Sequence, residues 1–108
     1  MATTYKTLGQ SAPNATTATD LYTVPAATSA VVSSLGVCNR GASTTFRVSV
    51  RVAGAAADNK QYLVYDAYVP ANDTIFLTLG VTLATTDVVT VYAGTANLSF
   101  NLFGSELT

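Results

Sequence analysis

The stretch AVVSSLGVCNRGASTTFRVSVRV, Ala30 to Val52, decides the fold class. In its second half Phe46, Val48, Val50 and Val52 alternate with Arg47, Ser49 and Arg51. A period of two is what a strand with one buried face requires, because successive side chains leave opposite sides of the pleat. In its first half Val31, Leu35 and Val37 share a face whose one polar member is Ser33. The join, Asn39-Arg40-Gly41-Ala42-Ser43, carries an Asn and a Gly, which tolerate positive φ and let the chain reverse. The spacing predicts a β-hairpin, with the remaining strands closing over its apolar side.

The same alternation recurs along the chain. Leu21–Pro25 reads as a short strand ended by proline, whose missing N–H suits a strand end. Ala53–Asn59 reads as a loop with at most one helical turn. In Lys60–Val69, plain alternation puts Tyr62, Val64 and Tyr68 on one face and Leu63, Tyr65 and Val69 on the other. Pro70–Asp73 is a turn, and Thr74–Leu79 sets Ile75, Leu77 and Leu79 against Thr74, Phe76 and Thr78. Gly80 marks a bend or bulge before Val81–Leu83. Asp87–Ala93 and Leu98–Phe103 are the last two strands. About seven or eight strands with turn signals every 8–12 residues, and no helical period, predict an all-β antiparallel sandwich of jelly-roll type. Residues 1–20 are polar and rich in Thr and Ala, and read as an N-terminal arm or edge strand. Residues 21–108 read as one sandwich domain.

Composition agrees. Thr (18), Ala (17) and Val (13) lead the counts in a chain of 108 residues, and Thr and Val favour the pleated sheet. Only 10% of residues are charged, against about 25% in ordinary soluble domains. Mean hydropathy is +0.36, yet no apolar run approaches the roughly 20 residues of a membrane helix. A small monomer so poor in charge would show water a badly solvated surface. The expectation is therefore a homo-oligomer or larger assembly that covers much of it.

A net charge of −1 and a pI near 4.9 give no field to attract nucleic acid or an anionic membrane. The single cysteine, Cys38, reads as a small buried hydrophobe within its strand. The N-terminus has no apolar signal-peptide core, so the expectation is cytoplasmic synthesis.

Chemistry is hard to place on this chain. There is no histidine, so His-based triads and His metal sites are excluded. Six acids stand singly, and only Asp66 lies mid-strand among apolar neighbours, where an arginine, Lys60 or a subunit contact would answer it. Asp58-Asn59 and Asn72-Asp73 lack the ligand density of a calcium loop. No enzyme, metal or cofactor is expected. What stands out is surface chemistry. Arg47 and Arg51 share a strand face, with Arg40 in the turn before them, and guanidinium groups suit carboxylates of a partner subunit. Phe76, Phe103, Tyr62 and Tyr68 put aromatics on the second faces of several strands, where they read as anchors for a partner. These six residues are the interface candidates. A carbohydrate-binding sandwich is the alternative from another class, weakened by the absence of tryptophan.

Three stretches carry a resemblance: LYTVPAATSAVVSSLGVCNRG (Leu21–Gly41), NKQYLVYDAYVPANDTIFLTLGVTL (Asn59–Leu83) and DVVTVYAGTANLSFNLFGSE (Asp87–Glu106). They resemble small virion proteins encoded by tailed bacteriophages. The resemblance implies a non-enzymatic part of a phage particle, foremost a capsid decoration (cement) protein that stabilises the shell. A tail, baseplate or fibre-associated protein is its alternative. It further implies a homo-oligomer, often a trimer, with the major capsid protein among its partners, located in the virion after assembly in the host cytoplasm. It transfers no functional residues.

Overall fold

A computed structural model describes residues 2–108. Eight strands form: β1 (Thr3–Ser11), β2 (Thr19–Thr23), β3 (Ser29–Asn39), β4 (Thr44–Arg51), β5 (Tyr62–Val69), β6 (Thr74–Leu83), β7 (Val88–Ala93) and β8 (Leu98–Leu107). They make two four-stranded antiparallel sheets, ordered β1-β8-β3-β6 and β2-β7-β4-β5. Every connection except β4–β5 passes from one sheet to the other, which is the winding of a jelly roll. The smallest dimension is 19 Å, the thickness of two sheets about 10 Å apart with their outer side chains.

The predicted β3–β4 hairpin is corrected by this topology. Both strands exist, but β3 pairs with β6 and β8, and β4 with β5 and β7. Arg40–Ser43 is an arch between sheets. Alternation says that each strand has one apolar face, and two such faces are buried equally well side by side or opposed. Asn39 holds the arch. Its side-chain amide donates to the Ala42, Val69 and Pro70 carbonyls, and its oxygen accepts from the Gly41 N–H. Val69 belongs to the opposite sheet, so one buried side chain joins β3 to β5.

Between the sheets lie Leu35 and Val37 of β3, Phe46 and Val48 of β4, Val89 and Val91 of β7, and Leu98, Phe100 and Leu102 of β8, all buried. The Phe46 and Phe100 rings meet across the gap, 6.1 Å apart and 61° inclined, an edge-to-face arrangement.

Bulges override simple alternation in two places. In β3 a register shift between Val32 and Ser34 buries Val32 and leaves Val31 exposed, so Val31 does not share a face with Leu35 and Val37. The same irregularity falls opposite Gly80 of β6, the position read as a bend. In β5, Leu63 and Asp66 are extra residues. Ser49 pairs with Tyr62, Val48 with Val64, and Phe46 with Ala67, while Asp66 takes φ +53°. Tyr62, Tyr65 and Tyr68 therefore all face outward, and Val64, Ala67 and Val69 face inward. Residues 3–11 form β1, the edge strand beside β8 in the same domain. Cys38 pairs with Thr74 and Ser99 on an outer face and is partly exposed, a correction to the buried reading.

A second tie joins the sheets. The Tyr22 hydroxyl of β2 donates to Glu106 of β8, which also meets Lys6 at 3.2 Å. The Tyr22 bond, foremost, and Lys6 hold the Glu106 carboxyl below the usual range. Burial, foremost, and Glu106 push the Tyr22 hydroxyl up. The signs follow. Glu106 stabilises the fold above the ordinary carboxylate pKa of about 4.3, and this is lost as pH falls through its lowered value. Tyr22 stabilises below about pH 10, and this is lost as pH rises through its raised value. Urea unfolding of Tyr22→Phe should show about 1–2 kcal/mol less stability at neutral pH and a flatter decline toward acid. Curves that run parallel to those of the parent would remove Tyr22 as the cause.

Candidate functional site

Each sheet has an outer face, and their chemistry differs. On the β2-β7-β4-β5 sheet, Arg47, Ser49 and Arg51 of β4 pair in register with Tyr92, Thr90 and Val88 of β7. Asp20 of β2 and Tyr62, Tyr65, Asp66 and Tyr68 of β5 complete the face. Four of the chain's six tyrosines lie here.

Arg47 is held on three sides. Its Nε lies 2.7 Å and its Nη2 3.4 Å from the two Asp66 oxygens. The guanidinium carbon lies 4.2 Å from the Tyr65 ring centre and 4.5 Å from that of Tyr92, a cation between two π faces. The hydrogen bond to Asp66, foremost, raises the Arg47 pKa further. The Tyr62 ring meets Tyr65 edge-on at 4.9 Å. The Asp66 bulge makes this cluster possible, since its left-handed backbone turns Tyr65 and Asp66 toward Arg47 together.

Arg51 is a strut. Its Nε donates to Thr90 Oγ1 at 3.1 Å, Nη1 to the Gly54 and Ala55 carbonyls at 3.1 and 3.0 Å, and Nη2 to Asp20 Oδ1 at 2.9 Å. Thr90 Oγ1 donates to the same Asp20 oxygen at 3.2 Å. The loop between β4 and β5 is thereby pinned beside the sheet as a wall. Between wall and sheet is a cavity of about 280 Å³, lined among others by Asp20, Arg47, Arg51, Tyr62, Thr90 and Tyr92.

The outer face of β1-β8-β3-β6 is different. Register places Tyr5, Ser105 and Val31 in one row, Thr7, Phe103, Ser34 and Thr78 in the next, Gln10, Asn101, Gly36 and Phe76 in a third, and Ser99, Cys38 and Thr74 in a fourth. None of these residues carries a formal charge. Tyr5 is 84% exposed and Phe76 67%, and Val31 is also exposed. The Phe76 ring lies across Gly36, where an added Cβ would come within 2.8 Å of its Cε1. Arg40 closes one end, donating to Ser99 Oγ and the Ala96 carbonyl.

The six interface candidates thus fall into two sets on opposite sides of the sandwich. Phe76 and a half-buried Phe103 share the charge-free face. Tyr68, exposed, lies with half-buried Tyr62, Arg47 and Arg51 on the other. Arg40 does not join Arg47 and Arg51. Both of those arginines have carboxylate partners within the chain, Asp66 and Asp20. Sequence reasoning did not single out Tyr5, Tyr92 or Asp20. The Val91–Tyr92 alternation was a readable signal for Tyr92, but its pairing with Arg47 is visible only in the sheet. Among the described residues, no three of His, Cys, Asp or Glu come together as metal ligands. Among them too, no helix is long and apolar enough to cross a membrane.

No family model, no curated protein and no solved structure gives a significant match to the chain.

Proposed function

We propose that this chain is a non-enzymatic structural protein of a tailed-bacteriophage particle, a capsid decoration protein that seats on the shell as an oligomer. The observation that carries the assembly half of this reading is the charge-free face of the β1-β8-β3-β6 sheet. A solvated sheet face is ordinarily studded with Lys and Glu, which keep it soluble and guard its edges. This one offers Ser, Thr, Asn and Gln around Tyr5, Val31, Phe76 and Phe103. Depletion of charge with enrichment of aromatics marks the core of a protein interface. Four strands at about 4.8 Å by some nine residues at about 3.3 Å present roughly 550 Å² in projection. That is the order of the ~800 Å² per partner that a stable interface buries.

The particle half rests on the resemblance of the three quoted stretches to phage virion proteins. A tail or baseplate position would use the same face. Sedimentation of lysates from cells producing the encoding phage tests it. The chain should travel with intact particles and appear in cryo-microscopy maps as a sandwich seated on the shell by its β1-β8-β3-β6 face. A chain left wholly in the particle-free supernatant would overturn the reading.

A further inference from the structure

We propose that the cavity on the outer face of the β2-β7-β4-β5 sheet is a binding site for an uncharged saccharide, one sugar ring deep. This goes beyond the assembly role and uses the opposite side of the sandwich, so either can fail alone.

Charge comes first. Both arginines at the cavity are neutralised within the chain, Arg47 by Asp66 and Arg51 by Asp20. A phosphate or carboxylate ligand would find no unpaired cation and would have to displace a carboxylate already in place. An apolar ligand would have to strip water from two ion pairs and Thr90 without replacing their hydrogen bonds. A polyhydroxylated neutral ligand suits both conditions, since each hydroxyl donates and accepts.

The hydrogen-bonding groups are arranged for that. A guanidinium has five N–H donors. Arg47 uses one on each Asp66 oxygen and packs against the Tyr65 and Tyr92 rings, which leaves three N–H donors outside those two bonds. Asp20 receives Arg51 and Thr90 on the same oxygen, Oδ1, and its side chain is 57% exposed, leaving carboxylate surface open at the rim. Donor and acceptor thus line the same cavity, where separate hydroxyls of one sugar ring can answer them. Tyr62 supplies a ring wall on which the C–H side of a sugar can lie, positive hydrogens against a negative π face.

Rigidity and size complete the argument. Arg47 lies between two rings and Arg51 is held by four acceptors, so binding freezes few side chains that were free. About 280 Å³ lies just below the roughly 300–1,000 Å³ of small-molecule sites, which fits one ring of a longer glycan.

The test is a printed array of neutral oligosaccharides built on glucose, galactose, mannose and N-acetylglucosamine, with sialylated and sulfated glycans as the anionic arm. Calorimetric titration of the strongest neutral hit follows. The parent should bind at least one neutral glycan, with little dependence on salt. Tyr62→Ala should weaken that binding tenfold or more, and Asp20→Asn, which keeps the shape, at least threefold. Both variants should keep the parent's circular dichroism and its mass in solution. The proposal is overturned by no neutral hit at millimolar glycan, by hits confined to the anionic arm, by Tyr62→Ala and Asp20→Asn both binding as the parent does, or by a change of mass on Tyr62→Ala, which would make this face a contact between copies.

Discussion

If the chain assembles as proposed, Phe76→Asp is expected to yield monomers that stay folded. Phe76 stands 67% exposed on a face with no formal charge, so its removal takes little from the core of its own chain. In an assembly that buries this face, the same change removes an exposed aromatic and places a carboxylate among uncharged side chains, with Arg40 only at one end of the face. A loss of about 2–4 kcal/mol at such a position is roughly 30- to 1,000-fold in affinity. Tyr5→Asp, in another row of the same face, should act in the same direction. Tyr68→Asp, on the opposite sheet, should leave the assembly intact. Light scattering reads the mass, and far-ultraviolet circular dichroism shows that the sandwich persists. If Phe76→Asp and Tyr5→Asp both assemble as the parent does, the wrong face has been identified.

Asp87→Ala should be the most damaging polar substitution in the fold. The Asp87 side chain is buried at one end of the sandwich, where Oδ1 accepts the Ala53 N–H and Oδ2 the Ala84 N–H, both at 2.9 Å. Its backbone carbonyl takes the Val24 N–H, and Val24 in turn accepts from Thr86. One residue thus gathers the loop after β4, the β6–β7 turn and the segment after β2. Hydrogen bonds to an ionised group contribute about 1.5–3 kcal/mol each, and two amides would lose their partners. A fall of about 3–5 kcal/mol in urea unfolding is expected, a large share of the about 5–15 kcal/mol of a typical domain. Asp87→Asn keeps one acceptor and should lose about half as much. A loss below about 1 kcal/mol for Asp87→Ala would show that the loops hold without it.

The fold class was open to reading because alternation is written into single strands. Phe46, Val48 and Val50 against Arg47, Ser49 and Arg51 needs no partner to be seen. Pairing is different, since it depends on where the chain goes after each turn. The Arg40–Ser43 arch has the residues of a hairpin turn, and only Asn39 reaching Val69 in the other sheet distinguishes the two outcomes. The Tyr62, Tyr65 and Tyr68 face was hidden for a related reason. Two single-residue bulges change which side each tyrosine takes, and one rests on Asp66 adopting a left-handed conformation that its neighbours do not announce. Shortage of charge raised the expectation of covered surface without naming a face, and only the sheet registers gather the uncharged residues on the β1-β8-β3-β6 side. An arginine was one of the partners open to Asp66, but which one, and that Arg51 meets Asp20 instead of a partner subunit, depends on residues 19 and 31 positions apart along the chain.

The central claim is that the charge-free sheet face is covered by protein. The most direct measurement is the mass of the purified chain in solution, by size exclusion with light scattering over a wide range of concentration. The expected mass is a multiple of 11.1 kDa, which Phe76→Asp reduces to 11.1 kDa. A parent protein that stays at 11.1 kDa at the highest concentration, soluble and unassociated, would contradict it.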